Sequence, residues 1–221
     1  MSPFNKFIDH TLLKATATKQ DIIQLCEEAK QFGFFSVCVN SCYVSLAKAN
    51  LERSEVKVCA VIGFPLGAMS TVSKVSETID AIENGAEEID MVLNVGWLKS
   101  KDYQGVLNDI KSVKDIMPNK TLKVILETCY LEDDDIIKAS ELAIEAGADF
   151  IKTSTGFGTR GASEKDITLM KSAIEGTTKI KASGGIRDAQ TALKYINLGV
   201  HRLGTSSGIA IISGKTSDSN Y

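Results

Sequence analysis

The hydrophobic pattern of the chain switches repeatedly between the period of a helix and that of a short strand. Four segments carry the same order of an amphipathic helix, a glycine and a short apolar run: AKQFGFFSVCVN, AIENGAEEIDMV, AIEAGADFIKTS and YINLGVHRLGTS. A left-handed backbone at a helix end costs glycine little, and each segment has one there: Gly33, Gly85, Gly147 and Gly199. The pattern predicts four equivalent junctions between a helix and the following strand.

The predicted helices each show one buried stripe. In the first, apolar residues recur three and four positions apart: Ile22, Leu25, Cys26, Ala29 and Phe32. Thr18 and Asp21, at the start of this helix, resemble a capping box. The same spacing before Gly147, around 106–117 and again over 163–176 predicts further helices.

Between the helices lie eight short β-rich runs: FIDH, SVCVN, VKVCAVIG, EEIDMVLN, LKVILE, FIKTS, KIKAS and HRLGT. Strict alternation of strand and helix implies parallel strands with right-handed crossovers, and eight such units predict an α/β fold of the (β/α)8 TIM-barrel type. We expect residues 1–212 to form this single barrel domain and the polar residues 213–221 a flexible tail. An open doubly wound sheet is the alternative, but no run reads as its G-x-G-x-x-G turn.

Composition and charge narrow the class of protein. The 221 residues are 43% hydrophobic and 24% charged, which is typical of a globular chain. The 25 basic and 28 acidic residues leave a net charge of −3, without a dense basic cluster, so we predict no nucleic-acid partner. No apolar run approaches the length of a membrane span, and the start of the chain lacks the apolar core of a signal peptide. We therefore predict no membrane partner.

Five cysteines, an odd number in a chain long enough to fold without cross-links, indicate reduced thiols and a cytoplasmic protein. Cys38 and Cys42 are four residues apart, but no second pair and no nearby histidine completes a zinc-binding set. The only histidines are His10 and His201. We predict no metal site.

Counting from the four glycines predicts which side chains point into the barrel. If the junctions are equivalent, the residues five positions later share one register on strands two, four, six and eight: Cys38, Asp90, Lys152 and Gly204. Alternate strands contribute one interior layer of such a barrel, and an apolar core would not select a thiol, a carboxylate, an amine and a gap. The alternative is a register one residue off, which would turn the charges toward apolar helix stripes that offer no partner.

Strand seven adds Lys181 in KIKASGG, near the end of the strand, where the active sites of these barrels lie. Two lysines and an aspartate without a metal motif indicate amine chemistry rather than hydrolysis. Because a lysine has a pKa near ~10.4, it needs burial or a neighbouring cation to act as a nucleophile. Lys181 could be that cation for Lys152. A salt bridge between Asp90 and one lysine, with no catalytic role, is the alternative.

Glycine-rich loops follow the last three strands at 153–158, 183–185 and 204–208. Backbone N–H groups freed by glycine at helix N-termini after strands seven and eight commonly hold a phosphate in this fold. Arg160 and Arg187 lie close enough in sequence to add charge. The alternative is that each glycine only permits a tight turn.

These segments resemble the deoxyribose-phosphate aldolase family in its short bacterial form. The resemblance runs nearly end to end and rests on IDHT, SVCVN, VIGFPLGA, EIDMVLN, KVILET, GADFIKTSTGFGT, KASGGIR and a terminal tyrosine after a serine-rich tail. It implies the reversible cleavage of 2-deoxy-D-ribose 5-phosphate to acetaldehyde and D-glyceraldehyde 3-phosphate, in deoxyribonucleoside breakdown and without a cofactor. It also implies phosphorylated sugars and aldehydes as ligands, and a homodimer.

The resemblance assigns roles to individual residues. Lys152 would form the Schiff base, Lys181 would perturb it, and Asp90 would act with a water as general acid and base. Asp9 and Thr155 would be supporting polar groups, although Asp9 could equally cap the next turn. Tyr221 would reach over the site and assist proton transfer.

Two positions depart from the family pattern. Longer relatives have a lysine where this chain has Phe157, and Arg160 stands where short relatives commonly have glycine. We therefore expect Arg187, assisted by Arg160, to supply the charge of a phosphate site whose predicted residues are Gly156, Gly184, Gly185, Arg187, Gly204, Ser206 and Ser207. Other functions stay open from the residues alone: another Schiff-base aldolase or transaldolase, a phosphate-binding isomerase or synthase, or a non-catalytic binding module.

Overall fold

The computed structural model describes residues 4–217. Eight parallel strands form a closed barrel in which each strand pairs with its neighbours in chain order and β8 pairs with β1. The strands are Ile8–Leu12 (β1), Ser36–Asn40 (β2), Lys57–Ile62 (β3), Glu88–Val92 (β4), Thr121–Ile125 (β5), Phe150–Lys152 (β6), Lys179–Ser183 (β7) and Arg202–Thr205 (β8). The predicted (β/α)8 barrel is confirmed, and the open sheet is wrong.

Helices surround the barrel on the outside. They are Lys19–Phe32 (α1), Val44–Asn50 (α2), Thr71–Glu83 (α3), Val95–Lys99 (α4), Tyr103–Asp115 (α5), Asp133–Glu145 (α6), Glu164–Ser172 (α7), Ala189–Asn197 (α8) and Gly208–Ile212 (α9). The helix predicted over 163–176 ends early, because the amides of Ala173 and Ile174 bond the carbonyls three residues back and close the last turn. The helix predicted over 106–117 lies at 103–115.

The four helix-to-strand junctions are built as the repeated pattern predicts. Each glycine adopts a left-handed backbone, with φ of 63° at Gly33, 108° at Gly85, 86° at Gly147 and 98° at Gly199. The reversal lets the chain leave the helix and enter a strand within a few residues. At the other end of α1, Thr18 and Asp21 form the predicted capping box.

The apolar core lies between the barrel and the helices rather than inside the barrel. Outward-facing strand residues such as Val37, Ile89 and Ile151 belong to this core and are fully buried. A small separate apolar cluster lies inside the barrel, formed by Leu13, Cys38, Cys59 and Val61 with Phe64 against it. Strand alternation thus sends one set of side chains to the helices and leaves the other, which includes the buried charged residues, inside the barrel.

The far end of the chain stays close to the barrel as far as it is described. α9 ends at Ile212, the boundary at which the sequence predicts the tail to begin. The backbone N–H of Ser217 donates to the carbonyl of Arg187 at 3.1 Å. The predicted flexible tail at 213–221 falls partly outside the described residues, and Tyr221 lies wholly outside them.

Candidate active site

Asp90 lies at the centre of a cluster of amines inside the barrel. Its Oδ2 is 2.8 Å from Lys152 Nζ and 2.7 Å from Lys181 Nζ. Its Oδ1 is 2.8 Å from Lys123 Nζ. Because these partners come from β5, β6 and β7, Asp90 and Lys152 face the interior, and the register one residue off is wrong. Asp90, Lys123 and Lys181 are fully buried, and Lys152 is 2% exposed.

Gly204 provides the space that the predicted interior layer requires. A Cβ built on this residue would lie 2.3 Å from Ser183 Oγ and 3.0 Å from Lys181 Cε. Any larger residue there would displace the Lys181 side chain, so the fourth position of the layer is a gap, as predicted. Cys38, the remaining member, is fully buried in the interior apolar cluster.

Lys123 is a member of the cluster that the sequence analysis missed. It is the residue on β5 directly opposite Asp90 in the strand register. The signal was present, because Lys123 stands between Leu122 and Val124 in a predicted strand, and both of those side chains are buried in the outer core. Alternation alone therefore turns Lys123 inward.

Further ion pairs extend this cluster from Lys181 toward the amino-terminal ends of β4 and β8. Asp9 Oδ2 lies 2.6 Å from Lys181 Nζ, and Asp9 Oδ1 accepts from Ser36 Oγ at 2.7 Å and from Arg202 Nε at 2.7 Å. Glu88 Oε2 in turn lies 2.9 Å from Arg202 Nη2. The Asp9 carboxylate therefore lies in the lysine network, and its supporting role in the reaction stays a prediction.

Glu88 also closes the network on the other side, since its Oε2 lies 2.6 Å from Lys123 Nζ. Among the described residues, the connected cluster holds three carboxylates and four cationic groups, which are Asp9, Glu88, Asp90, Lys123, Lys152, Lys181 and Arg202. With every group ionised the cluster carries one excess positive charge. Loss of one proton from one amine leaves it neutral.

The opposite charges decide the ionisation of the network. Burial alone would raise the pKa of Asp90, but Lys123, Lys152 and Lys181 outweigh it and hold that pKa well below its usual value. Burial would lower the pKa of Lys181, yet Asp9 and Asp90 raise it above the ordinary value. The pKa of Lys123 is raised well above its ordinary value, chiefly by Asp90 against the effect of burial. At neutral pH, Asp90 is therefore a carboxylate, and Lys123 and Lys181 are ammonium groups.

Acid should weaken the fold through Asp9 and Asp90. In the folded chain the neighbouring cations hold the pKa of each below its usual value of 3.8, so only the unfolded chain takes up protons near that pH. Their contribution to the free energy of unfolding is complete above about pH 4 and is lost as the pH falls further. Urea unfolding from about pH 6 down to about pH 3 measures this. A stability that stays constant across that range would contradict it.

Glu127 is a second buried acid that the sequence analysis missed. It follows β5, is 3% exposed, and has a left-handed backbone with φ of 55°, which is uncommon for a residue other than glycine. Burial raises the pKa of its carboxyl. The backbone N–H of Thr155 donates to Glu127 Oε1 at 3.2 Å, and the Thr155 hydroxyl donates to Oε2. Glu127 thereby fixes Thr155, three residues after Lys152.

The predicted phosphate residues gather at the ends of β7 and β8. A small cleft there is lined by Gly185, Ile186, Arg187, Gly204, Thr205, Ser206 and Ser207. Gly184 and Gly156 lie beside it rather than in its lining, and a Cβ on Gly184 would come within 2.8 Å of Gly161 Cα. Five of the seven predicted residues thus line one cleft, which can donate hydrogen bonds to an anion and offer it the positive charge of Arg187.

Arg160 lies elsewhere. Its Nη2 donates to Asp166 Oδ1 at 3.0 Å and to the carbonyl of Thr128 at 3.1 Å. Asp166 is buried at the start of α7, where it also completes a capping box with Ser163. Arg160 therefore braces the β6–α7 connection, whereas Arg187 is the arginine in the lining of the cleft.

Cys38, Cys59 and Asp90 place three possible metal-ligand atoms within 4.8 Å of one another. The ammonium groups of Lys123 and Lys181 contact the same carboxylate, however, and these positive charges oppose the binding of a cation there. The electrostatics of the described residues therefore favour an anion or a polar organic group near Asp90.

The barrel, the buried charged cluster in its interior and the cleft at the carboxyl ends of β7 and β8 define the class of protein as a (β/α)8-barrel enzyme. The DeoC/LacD family aldolase profile matches residues 5–214 of the chain. A deoxyribose-phosphate aldolase from Carboxydothermus hydrogenoformans is 56% identical over 220 residues, covering 98% of this chain and 96% of that protein. Another from Finegoldia magna is 56% identical over 210 residues, covering 95% and 99%.

Solved structures show the same similarity. The deoxyribose phosphate aldolase from Aeropyrum pernix, which is described as a unique tetramer, has a TM-score of 0.89 and 31% identity over 95% of this chain and 89% of that chain. The chain belongs to the DeoC/LacD aldolase family, and the family predicted from the motifs is confirmed. It is accordingly a lyase. Within residues 4–217, the helices are too short or too polar to span a membrane.

Proposed function

We propose that this protein cleaves 2-deoxy-D-ribose 5-phosphate reversibly to acetaldehyde and D-glyceraldehyde 3-phosphate through a Schiff base on Lys152. The observation that carries the proposal is the pairing of Lys152 Nζ with Asp90 Oδ2 at 2.8 Å, with Lys181 Nζ on the same oxygen at 2.7 Å. The names of the relatives with 56% identity support the choice of substrate. The cleft that contains Arg187 supports a phosphorylated one.

Lys152 supplies the electron sink in this reaction. Its neutral amine attacks the aldehyde carbon of the open-chain sugar, and the resulting carbinolamine takes up a proton through the water at Asp90 and loses water to give a protonated imine. Removal of the proton from the C3 hydroxyl then breaks the C2–C3 bond, because the imine accepts the electron pair as an enamine. D-glyceraldehyde 3-phosphate leaves, the enamine carbon takes up a proton, and hydrolysis of the remaining imine releases acetaldehyde.

Asp90 transfers the protons of the reaction, and Lys181 stays positively charged beside it. Asp90 with a water is the base for the C3 hydroxyl and carries protons during formation and hydrolysis of the imine. Lys181 and Lys123 keep their positive charges, since the carboxylates of Asp9 and Asp90 raise the pKa of Lys181 and Asp90 raises that of Lys123. The excess of one cation in the cluster is removed when the neutral amine of Lys152 is generated. The site therefore supports a nucleophilic amine without leaving an unpaired buried charge.

Trapping of the imine tests the proposal. The protein is treated with acetaldehyde and sodium borohydride and then digested, and mass spectrometry should find one ethyl group on Lys152. Lys152→Met should take up none, whereas Lys123→Met, which removes an equally buried amine from Asp90, should still be labelled at Lys152. Labelling with pyruvate or a ketone donor but not with acetaldehyde would instead indicate another Schiff-base aldolase. Absence of labelling with every donor would refute amine catalysis.

Arg187 should determine the preference for a phosphorylated substrate. We expect Arg187→Ala to raise KM for 2-deoxyribose 5-phosphate by about tenfold or more, because a charge-assisted hydrogen bond to phosphate is lost. Cleavage of unphosphorylated 2-deoxyribose should change little. Arg160→Ala is the matched control, since Arg160 is held by Asp166, and its KM should stay close to that of the wild type. Equal phosphate preference in the wild type and Arg187→Ala would exclude this role.

The assembly and the location of the protein are also proposals. A homodimer in the cytoplasm accords with the family resemblance and with the reduced cysteines, since every cysteine of residues 4–217 is a free thiol. α3 exposes Val72 and Ile79, which are 75% and 43% accessible and lie seven residues apart on one helix face. Size-exclusion chromatography with light scattering determines the assembly.

A further inference from the structure

Two cysteines of the barrel interior face each other across neighbouring strands. Cys38 on β2 and Cys59 on β3 are partners in the strand register, and both side chains are fully buried in the interior apolar cluster. Their sulfur atoms lie within 4.8 Å of each other and of an Asp90 carboxylate oxygen. The mechanism proposed above uses neither thiol. Both nevertheless lie in the same interior as Lys152, which substrate has to reach.

The surroundings of the two thiols are unequal. The acceptors within reach of the Cys59 thiol include Cys38 Sγ and Asp90 Oδ1, the latter at 3.1 Å. Lys123 Nζ lies 3.3 Å from Cys59 Sγ. The hydrogen bond from Cys59 outweighs burial and lowers the pKa of Cys38, whereas burial raises the pKa of Cys59 well above its ordinary value. The Cys38 thiol therefore loses its proton more readily than the Cys59 thiol does.

We propose that Cys38 and Cys59 are an oxidation site, at which hydrogen peroxide converts the two thiols to a disulfide and thereby inactivates the enzyme. The Cys38 thiolate attacks one peroxide oxygen, the O–O bond breaks, and the departing hydroxide takes up a proton to form water. The sulfenic acid on Cys38 is then attacked by the Cys59 sulfur, its S–O bond breaks, and a second water leaves with the Cys59 proton. Overall, two thiols lose two electrons to one peroxide and give one disulfide and two waters.

The strand geometry permits the bond. Neighbouring strands lie about 4.8 Å apart, and register partners therefore fall within the Cα separation of roughly 4.4–6.8 Å that disulfides adopt. The sulfur atoms have to approach to about 2.05 Å, while both strands remain held in the closed barrel. Peroxide is smaller than the proposed sugar substrate, so the route to Lys152 also admits the oxidant.

The disulfide would act on the lysine cluster through Asp90. Oxidation removes the one proton of the Cys59 thiol, which lies within hydrogen-bond reach of Asp90 Oδ1, while Oδ2 of the same carboxylate holds Lys152 and Lys181. A lost hydrogen bond to a buried charge lowers activity by about tenfold or more when that charge positions the reacting groups. This effect on turnover rests on the proposed function, whereas formation of the disulfide does not.

The experiment follows both the bond and the activity in the full-length protein. Reduced protein is treated with peroxide, quenched, unfolded in an alkylating reagent and digested for mass spectrometry, with cleavage of 2-deoxyribose 5-phosphate measured in parallel. We expect a cross-linked peptide pair containing Cys38 and Cys59, together with a loss of turnover of about tenfold that dithiothreitol reverses. Cys38→Ala and Cys59→Ala should each retain, after peroxide, the activity that the same variant has before it.

Cys42→Ser and Cys129→Ser serve as matched controls, since these cysteines are the exposed and half-exposed ones and should leave the peroxide response as in the wild type. Full alkylation of Cys38 and Cys59 in peroxide-treated protein would overturn the proposal. So would a cross-link that leaves turnover unchanged, or an equal loss of activity in Cys38→Ala. If the reduced protein does not cleave the sugar phosphate, the proposed function is refuted. The presence or absence of the cross-linked peptide pair then tests the oxidation site independently of activity.

Discussion

Replacement of Lys152 by methionine is expected to lower the rate of aldol cleavage by on the order of 10⁴-fold or more, because it removes the amine that forms the covalent intermediate. The variant should nevertheless fold. Methionine fills a similar volume, and its introduction leaves three cations facing three carboxylates in the buried cluster, so no unpaired charge results. The loss should therefore appear in turnover and not in the free energy of unfolding.

Steady-state rates and urea unfolding, measured side by side, check both halves of this expectation. Lys165→Met is the control for the loss of a lysine, since this side chain is 68% exposed in a surface ion pair with Asp133. It should leave the rate and the unfolding midpoint unchanged. A Lys152→Met variant that still cleaves the sugar phosphate at more than about 1% of the wild-type rate would contradict the assignment of the Schiff base.

Much of this site follows from the sequence by counting along the strands. Equivalent glycines define the register of the even strands, and that register places Asp90 and Lys152 inside the barrel. The same rule, applied two residues earlier, also reaches Glu88 and Arg202, because a step of two along a strand returns to the same face. This rule does not reach Lys123, because no helix–glycine junction precedes β5. The alternation of Lys123 with Leu122 and Val124 nevertheless predicts that its side chain faces inward.

The loops have no repeating pattern of side-chain directions comparable to the alternation along the strands. Glu127 acquires its left-handed backbone and its contact with Thr155 only when the ends of β5 and β6 lie side by side, which no local pattern encodes. Arg160 looks like a phosphate ligand from its distance along the chain, yet the buried Asp166 of a capping box takes its guanidinium. Contacts between residues distant in sequence thus decide which arginine lines the phosphate cleft. The spacing of the arginines along the chain does not predict these contacts.

Asp90 should be the most sensitive position of the barrel for stability as well as for activity. Asp90→Asn keeps the shape of the side chain but leaves four cations with two carboxylates, whereas the wild type has four with three. Leaving a buried charge without its partner costs about 3–5 kcal/mol. We expect a decrease of that size in the free energy of unfolding at neutral pH, together with nearly complete loss of aldol cleavage, because the proton carrier of the reaction is gone.

Glu87→Gln removes the same charge from an ion pair with Lys48 whose side chains are 36% and 50% exposed, and it should cost less than about 1 kcal/mol. The difference between the wild type and Asp90→Asn should also narrow as the pH falls below about 4. The unfolded wild-type chain takes up a proton at Asp90 there, and the asparagine variant has no such proton to bind. Urea unfolding of the three proteins at neutral and acidic pH measures all of this. An Asp90→Asn variant as stable as Glu87→Gln would mean that the buried amines do not depend on this carboxylate for their charge.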